Sequence, residues 1–229
     1  MTPLLRLKER GLRLEGCSPE DFTPTPINPP KTDKTYYGAG KRFPHRLKPV
    51  APSLGRRSMD ETEFWEIIDT ARDAANGDPE EQADLVVEKL AQLDPNTVLD
   101  FARHFESRLN RAYQWDLWGA ADILLGEVDE DAFDSFRCWL ISRGRHTYEG
   151  AIHQADDLAT LVKEFNENLD GLAEDLGYAA DEAYEQLTGM RLPDLGLPRP
   201  TEPAGTRLDL DDDTAMAIRL PALWQRFGR

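Results

Sequence analysis

From Asp60 onward the apolar residues recur at helical spacing, and turn residues divide the pattern into segments. Phe64, Trp65, Ile67, Ile68 and Ala71 form one stripe. Asp60 stands before it as an N-cap, with Glu63 three residues on in a variant of the capping box. Asn76-Gly77 closes this helix. Asp78-Pro79 opens the next, with Leu85, Val86, Leu90 and Leu93 as its apolar face. Asp94-Pro95 repeats the device, and Val98, Phe101, Ala102, Phe105, Leu109, Ala112 and Tyr113 follow at helical spacing.

Further helices are expected over Leu117 to Leu125 and from Asp129 or Glu130 to about Gly144, the latter with Phe133, Phe136, Trp139 and Leu140 on one face. A short helix over 145–153 and a pair over about 156–168 and 171–188 complete the series. Period-two runs of β-branched residues are absent from the sequence. Residues 190–207, rich in proline and glycine, read as an irregular linker. Ala215, Met216, Ile218, Leu220, Leu223, Trp224 and Phe227 then predict a tail helix that docks back. The expected fold is all-α: one bundle-like, multi-helix domain over 59–190, a linker and docking tail helix over 191–229, and a disordered extension over 1–58.

Charge sharpens the boundary near residue 58. Residues 1–57 hold 12 Lys+Arg and 5 Asp+Glu, a net of +7. The whole chain holds 27 against 43, so residues 58–229 hold 15 against 38, a net of −23. The first segment also carries nine of the 16 prolines and shows no periodicity. Ordering it would cost about 1–2 kcal/mol of backbone entropy per residue with little apolar area to offset that. Two readings of it stay open. One is a basic arm that contacts nucleic acid or folds back on the acidic body. The other is a passive extension upstream of a natural start at Met59.

The acidic body disfavours binding to nucleic-acid phosphates for residues 59–229 and suits docking onto a basic protein partner. The two cysteines, Cys17 and Cys138, sit in unrelated contexts. Neither a disulfide framework nor a structural zinc site is expected. No run approaches 18 apolar residues and the start lacks a signal-peptide pattern. The expectation is a cytoplasmic protein without membrane or cofactor.

The candidate chemistry lies in a tryptophan-rich block, Trp115-Asp116-Leu117-Trp118-Gly119-Ala120-Ala121, and in the segment from Phe136 to Arg145. Asp and Arg beside indole rings gain nothing in a core unless they pair or face a ligand. Trp115 and Trp118 share a helical face, and Gly119, Ala120 and Ala121 admit a close neighbour. One reading is therefore a tight helix crossing. The other is a recognition cleft of Trp115, Asp116, Trp118, Arg137, Trp139 and Arg145. In that cleft Asp116 anchors an amine or acts as a base, Arg145 clamps an anion and the indoles stack. As a structural alternative, Asp116 pairs with Arg137.

His146, Glu149 and His153 could share one helix face, but they lack the spacing of a zincin, and no metal is expected. Asp209, Asp211 and Asp213 alternate like a calcium loop, yet Thr214 and Leu220 stand where Gly and Glu belong. That run is read as capping the tail helix or repelling phosphate. His104 is placed at the bundle edge, and Cys138, on an apolar helix, reads as a buried inert thiol. The sequence contains no P-loop, dinucleotide glycine pattern or nucleophile elbow.

Met59-Asp60-Glu61-x-x-Phe64-Trp65-x-x-Ile68, Tyr113-x-Trp115-Asp116-Leu117-Trp118-Gly119-Ala120-Ala121 and Phe133-x-x-Phe136-Arg137-x-Trp139-Leu140-Ile141-x-x-Gly144-Arg145 together resemble a bacterial, largely actinobacterial, domain-of-unknown-function family numbered forty-two-forty. The resemblance covers roughly residues 59–190. It implies a soluble, mostly helical protein and a start near Met59, and it carries over no catalytic residues. Residues 1–58 depart from the pattern. The functional expectation is an interaction or regulatory module with an acidic surface, such as one that neutralises a basic protein. The alternative is an enzyme or small-molecule-binding protein using the same cleft.

Overall fold

The computed structural model describes residues 58–126, 128–163 and 173–228. Helix α1 (Glu61–Ala75) begins at the capping box expected from the sequence: the Glu63 N–H donates to the Asp60 carboxylate, and the Asp60 N–H to Glu63, both at 2.9 Å. It ends at Asn76, the only non-glycine residue with positive φ among those described. Helices α2 (Pro79–Leu90) and α3 (Pro95–Arg111) start on the two Asp-Pro pairs. In each, the aspartate accepts two N–H groups of the first turn at 3.0–3.2 Å while proline fills a position that has no N–H to satisfy.

Helix α4 (Trp115–Leu125) starts two residues before the predicted Leu117. No side chain caps it. Instead, the Trp115 N–H donates to the Ala204 carbonyl at 3.0 Å, and the Ala204 N–H donates to Tyr113 at 2.8 Å. This isolated bridge, formed by a segment far away in sequence, is invisible to local patterning. Helix α5 (Glu130–Ser142), capped by Asp129, is followed by α6 (Gly144–His153).

The helix expected over 156–168 is a short 3₁₀ turn (Ala155–Asp157) running into α7 (Leu158–Leu161), which Val162 ends in an extended conformation; residues 164–168 lie outside the described residues. Helix α8 (Asp175–Thr188) ends on Gly189 at φ 70°. The single tail helix predicted is two, α9 (Asp213–Arg219) and α10 (Pro221–Phe227). The break is at Pro221, which cannot donate to the preceding turn and pushes Leu220 out of the helical region, to φ −129°, ψ 60°. Asp156 caps the second helix across the fold, accepting from Ala222 and Leu223 at 3.1 and 2.9 Å.

The architecture is all-α, with no strand among the described residues. Helix α2 lies between α1 and α8, α3 packs on α8 and α5, and α10 packs on α4 and α7. Phe64, Trp65, Phe101, Phe133, Leu140 and Tyr148 form the centre of one core. Leu208, Met216, Leu220 and Leu223 of the C-terminal region belong to that core. Gly119 is where they come closest to α4. A Cβ there would lie 2.6 Å from Leu208 and 3.0 Å from Leu220, so the small residues of the tryptophan block receive the tail. The expected disordered extension falls, apart from Ser58, outside the described residues. Ser58 donates to Asp100 at 3.0 Å, next to the Met59 N–H at 3.3 Å.

Gly144 turns the chain between α5 and α6 at φ 85°, and a Cβ would collide with the Arg72 guanidinium and the Asp69 carboxylate. Arg72 also donates to the Arg143 carbonyl at 3.0 Å, tying α1 to this turn. Gly144→Ala should therefore cost about 1–3 kcal/mol from the backbone conformation and the displaced ion pair. Urea unfolding checks this, and a loss within about 0.5 kcal/mol, typical of a neutral surface change, would contradict it.

Candidate functional site

The outer edges of α3, α5 and α8, with the irregular segment 192–200, enclose a cavity of about 1410 Å³. Its floor is apolar where helical stripes meet: Phe101, Phe105, Leu109 and Leu176. Its rim is acidic. Glu106 comes from α3, Glu130, Asp131 and Asp134 from the first turns of α5, Glu174 and Asp181 from in and around α8, and Asp194 from the irregular segment. The α5 carboxylates cluster because an acidic first turn complements the helix dipole, and here that turn faces the opening. The irregular segment is held by the Asn110 amide donating to the Pro198 carbonyl at 3.1 Å and by Arg199 pairing with Glu106 at 3.3 Å.

Arg137 closes the base of this cavity. It is 9% exposed, lies over Tyr113 and Phe133 at 5.1 and 5.2 Å from their ring centroids, and donates to the Leu109 carbonyl at 2.9 Å. Its second amine pairs with Asp134. The Tyr113 hydroxyl donates to Glu130 at 3.2 Å, and burial, followed by that carboxylate, raises its pKa. Tyr178, exposed at the rim, donates to Glu174 at 3.0 Å, and this hydrogen bond raises its pKa. Burial pushes the Cys138 thiol up to about 12, so it carries no thiolate at neutral pH.

The structure divides the six residues singled out in the sequence. Trp118 stacks on Phe133 at 4.2 Å, and Trp139 packs on Phe136 at 5.2 Å; the two are 8% and 2% exposed and belong to the core. Arg137, beside Trp118 across the Phe133 ring, lines the cavity. Trp115 and Asp116 stand at the start of α4, where the Arg207 guanidinium lies over the Trp115 ring at 5.6 Å. Arg145, half exposed, reaches Glu61 at 3.7 Å.

The Asp116–Arg137 pair does not form. Asp116 holds Arg219 at 2.9 and 3.3 Å, and Arg137 has Asp134 one turn away on its own helix. Glu149 pairs with Arg111 at 2.8 Å, and among the described residues no three side chains are grouped to hold a metal. In the acidic tail run it is Asp212 that caps α9. His104 lies near α1, its Nε2 3.0 Å from the Met59 carbonyl oxygen.

Sequence reasoning passed over Arg108. It is 8% exposed, with its guanidinium 4.6 Å above Phe64 and 5.2 Å above Trp65, and pairs with Glu61 at 3.2 Å. Burial lowers its pKa against the pull of Glu61. The signal was present: Arg108 falls three residues after Phe105, on the apolar stripe of α3. The rim carboxylates carried no comparable signal, since single acidic residues on helix surfaces are ordinary.

The family described as Protein of unknown function (DUF4240) matches residues 59–186, and the chain belongs to that family. No curated protein and no solved structure matches the chain. Among the described residues, no helix is long and apolar enough to cross a membrane.

Two substitutions separate the arginine that closes the cavity from the aspartate at its predicted partner position. Asp134 is 64% exposed and is rehydrated when its partner goes, so Arg137→Ala chiefly leaves the Leu109 carbonyl unpaired and should cost about 1–3 kcal/mol. Asp116→Asn breaks a partly exposed pair and should cost under about 1 kcal/mol. Chemical denaturation of both variants checks the order, and equal losses would contradict it. In a Cys17→Ser background, Cys138 should resist a thiol-specific disulfide reagent in the folded protein and react after unfolding.

Proposed function

We propose that this DUF4240 protein is an interaction module whose acidic cavity between α3, α5 and α8 receives a basic, extended segment of a partner protein. The observation that carries the reading is the charge of the lining. Seven carboxylates face two guanidinium groups, and Arg137 and Arg199 are already paired with Asp134 and Glu106. Five acidic side chains therefore remain without a cation among the lining residues. The apolar floor suits the aliphatic stems of lysine and arginine, whose charged heads then reach the rim. The net charge of −23 on residues 58–229 likewise favours the approach of a cationic segment.

The recognition surface proposed is the cavity beside the tryptophan block, with Arg137 at its base. Trp118 and Trp139 support that base from the core, and Trp115 and Asp116 hold the tail. A small organic polycation would meet the same lining, which is the form that a small-molecule-binding reading takes here.

Titration calorimetry with an arginine- and lysine-rich peptide, and separately with spermine, tests the proposal. Glu130→Gln, Asp131→Asn and Asp194→Asn combined should weaken the peptide roughly tenfold to a hundredfold, at about 0.5–1 kcal/mol per pair lost. High salt should weaken it further, as screening requires. Binding unchanged by the triple variant would overturn the proposal. Spermine binding with no peptide binding would replace the partner segment with a small polycation.

A further inference from the structure

A second surface lies on the other side of α2 from α8. Residues 63, 66, 67, 70, 71 and 74 of α1 fall at intervals of three and four and form one lengthwise stripe. Residues 85, 88, 89, 92 and 93 form the matching stripe on α2 and the turn after it. The two stripes are the walls of a trough of about 640 Å³. Ile67 and Ala71 are buried at its bottom, Ala74 is an exposed part of its lining, and Leu85 and Leu93 stand on the far wall. Leu85 of α2 and Leu93 of the turn after it are only partly covered although both are apolar. Glu63, Glu66 and Glu88 stand along the edges against one cation, Lys89.

We propose that this trough docks an amphipathic helix of a partner protein, with bulky apolar residues on one face and lysine or arginine on its flanks. Three observations choose that occupant. The walls are two helical stripes of equal repeat, so a third helix can lie along them with its own side chains in register. The small Ala71 and Ala74 leave space that large apolar anchors at positions i, i+3 or i+4, and i+7 would fill. Apart from Glu63, which is engaged in the α1 cap, the rim carries Glu66 and Glu88 against the single ammonium of Lys89, so flanking cations on the incoming helix are attracted and flanking acids repelled. This surface shares no lining residue with the acidic cavity, and the proposal does not rest on that reading.

The probe is a model peptide of leucine and lysine placed at helical spacing, with a scrambled isomer of the same composition as control. Binding to the full chain is followed by fluorescence anisotropy, and helix formation by circular dichroism. The patterned peptide should bind and gain helicity, and the scrambled one should bind at least about tenfold more weakly. Glu66→Lys with Glu88→Lys, both exposed positions, should reduce affinity at least about tenfold by reversing the rim. Ala74→Trp, also exposed, should do the same by filling the trough without reversing a charge. In the triple variant of the acidic cavity, where lysine binding to that cavity is reduced, the patterned peptide should still bind at least about tenfold more tightly than the scrambled one. Equal binding of both peptides, or loss of binding only in the cavity variant, would overturn the proposal.

Discussion

The C-terminal turn of α3 is the constraint on which the rest of the structure depends. An α-helix ends with four carbonyls that lack a partner within the helix, and here the first two, of Arg108 and Leu109, are taken by neighbouring helices. The Arg108 carbonyl accepts the Ala112 N–H at 2.9 Å and the buried Tyr148 hydroxyl of α6 at 2.8 Å. The Leu109 carbonyl accepts the Arg137 guanidinium of α5. Asn110 and Arg111 are satisfied locally, by the Tyr113 N–H at 3.2 Å and the Gln114 amide at 2.9 Å. Two helices therefore meet α3 through polar groups: loss of Arg137 would leave the Leu109 carbonyl unpaired, at about 1–3 kcal/mol, while loss of the Tyr148 hydroxyl would leave the Arg108 carbonyl with the Ala112 N–H alone.

Two arginines and a set of aromatic rings turn that end into a framework. Arg108 spreads over Phe64 and Trp65 of α1 and reaches Glu61, while Arg137 spreads over Tyr113 and Phe133. A guanidinium tolerates such sites because its flat faces are weakly hydrated and its edge still makes hydrogen bonds. Phe133 passes the contact on to Trp118, and Phe136 to Trp139, so the tryptophans of the central block brace the arginine that closes the cavity. Trp118, Trp139 and Arg137 thus belong to one packed framework, and the acidic opening lies beside it.

The C-terminal region is part of the same arrangement. Ala204 completes the start of α4, Arg219 takes Asp116, and Asp156 caps α10. Each contact satisfies a polar group that the local chain leaves open, and Leu208, Leu220 and Leu223 bury the apolar area that goes with them. Acidic side chains that make no such contact are left on the surface, concentrated at the ends and outer edges of the helices.

The sequence by itself determined the helices, most of their boundaries and the apolar faces. These depend on neighbours within about four residues: an Asp before a Pro, a capping box, a glycine at positive φ, a stripe of period 3.6. It also marked Trp118, Arg137 and Trp139 as unusual company, and it showed the charge asymmetry at residue 58. Only the tertiary structure decided which partner each polar group took. Asp116 chose Arg219 over Arg137, and Ala204, about ninety residues away, secured α4. Arg108 on an apolar stripe became a buried cation, while Glu130 and Asp194 came to face one cavity. Hydrogen bonds and ion pairs act over a few ångströms in space whatever the separation along the chain, so local periodicity could show that these groups needed partners but not which partners they would find.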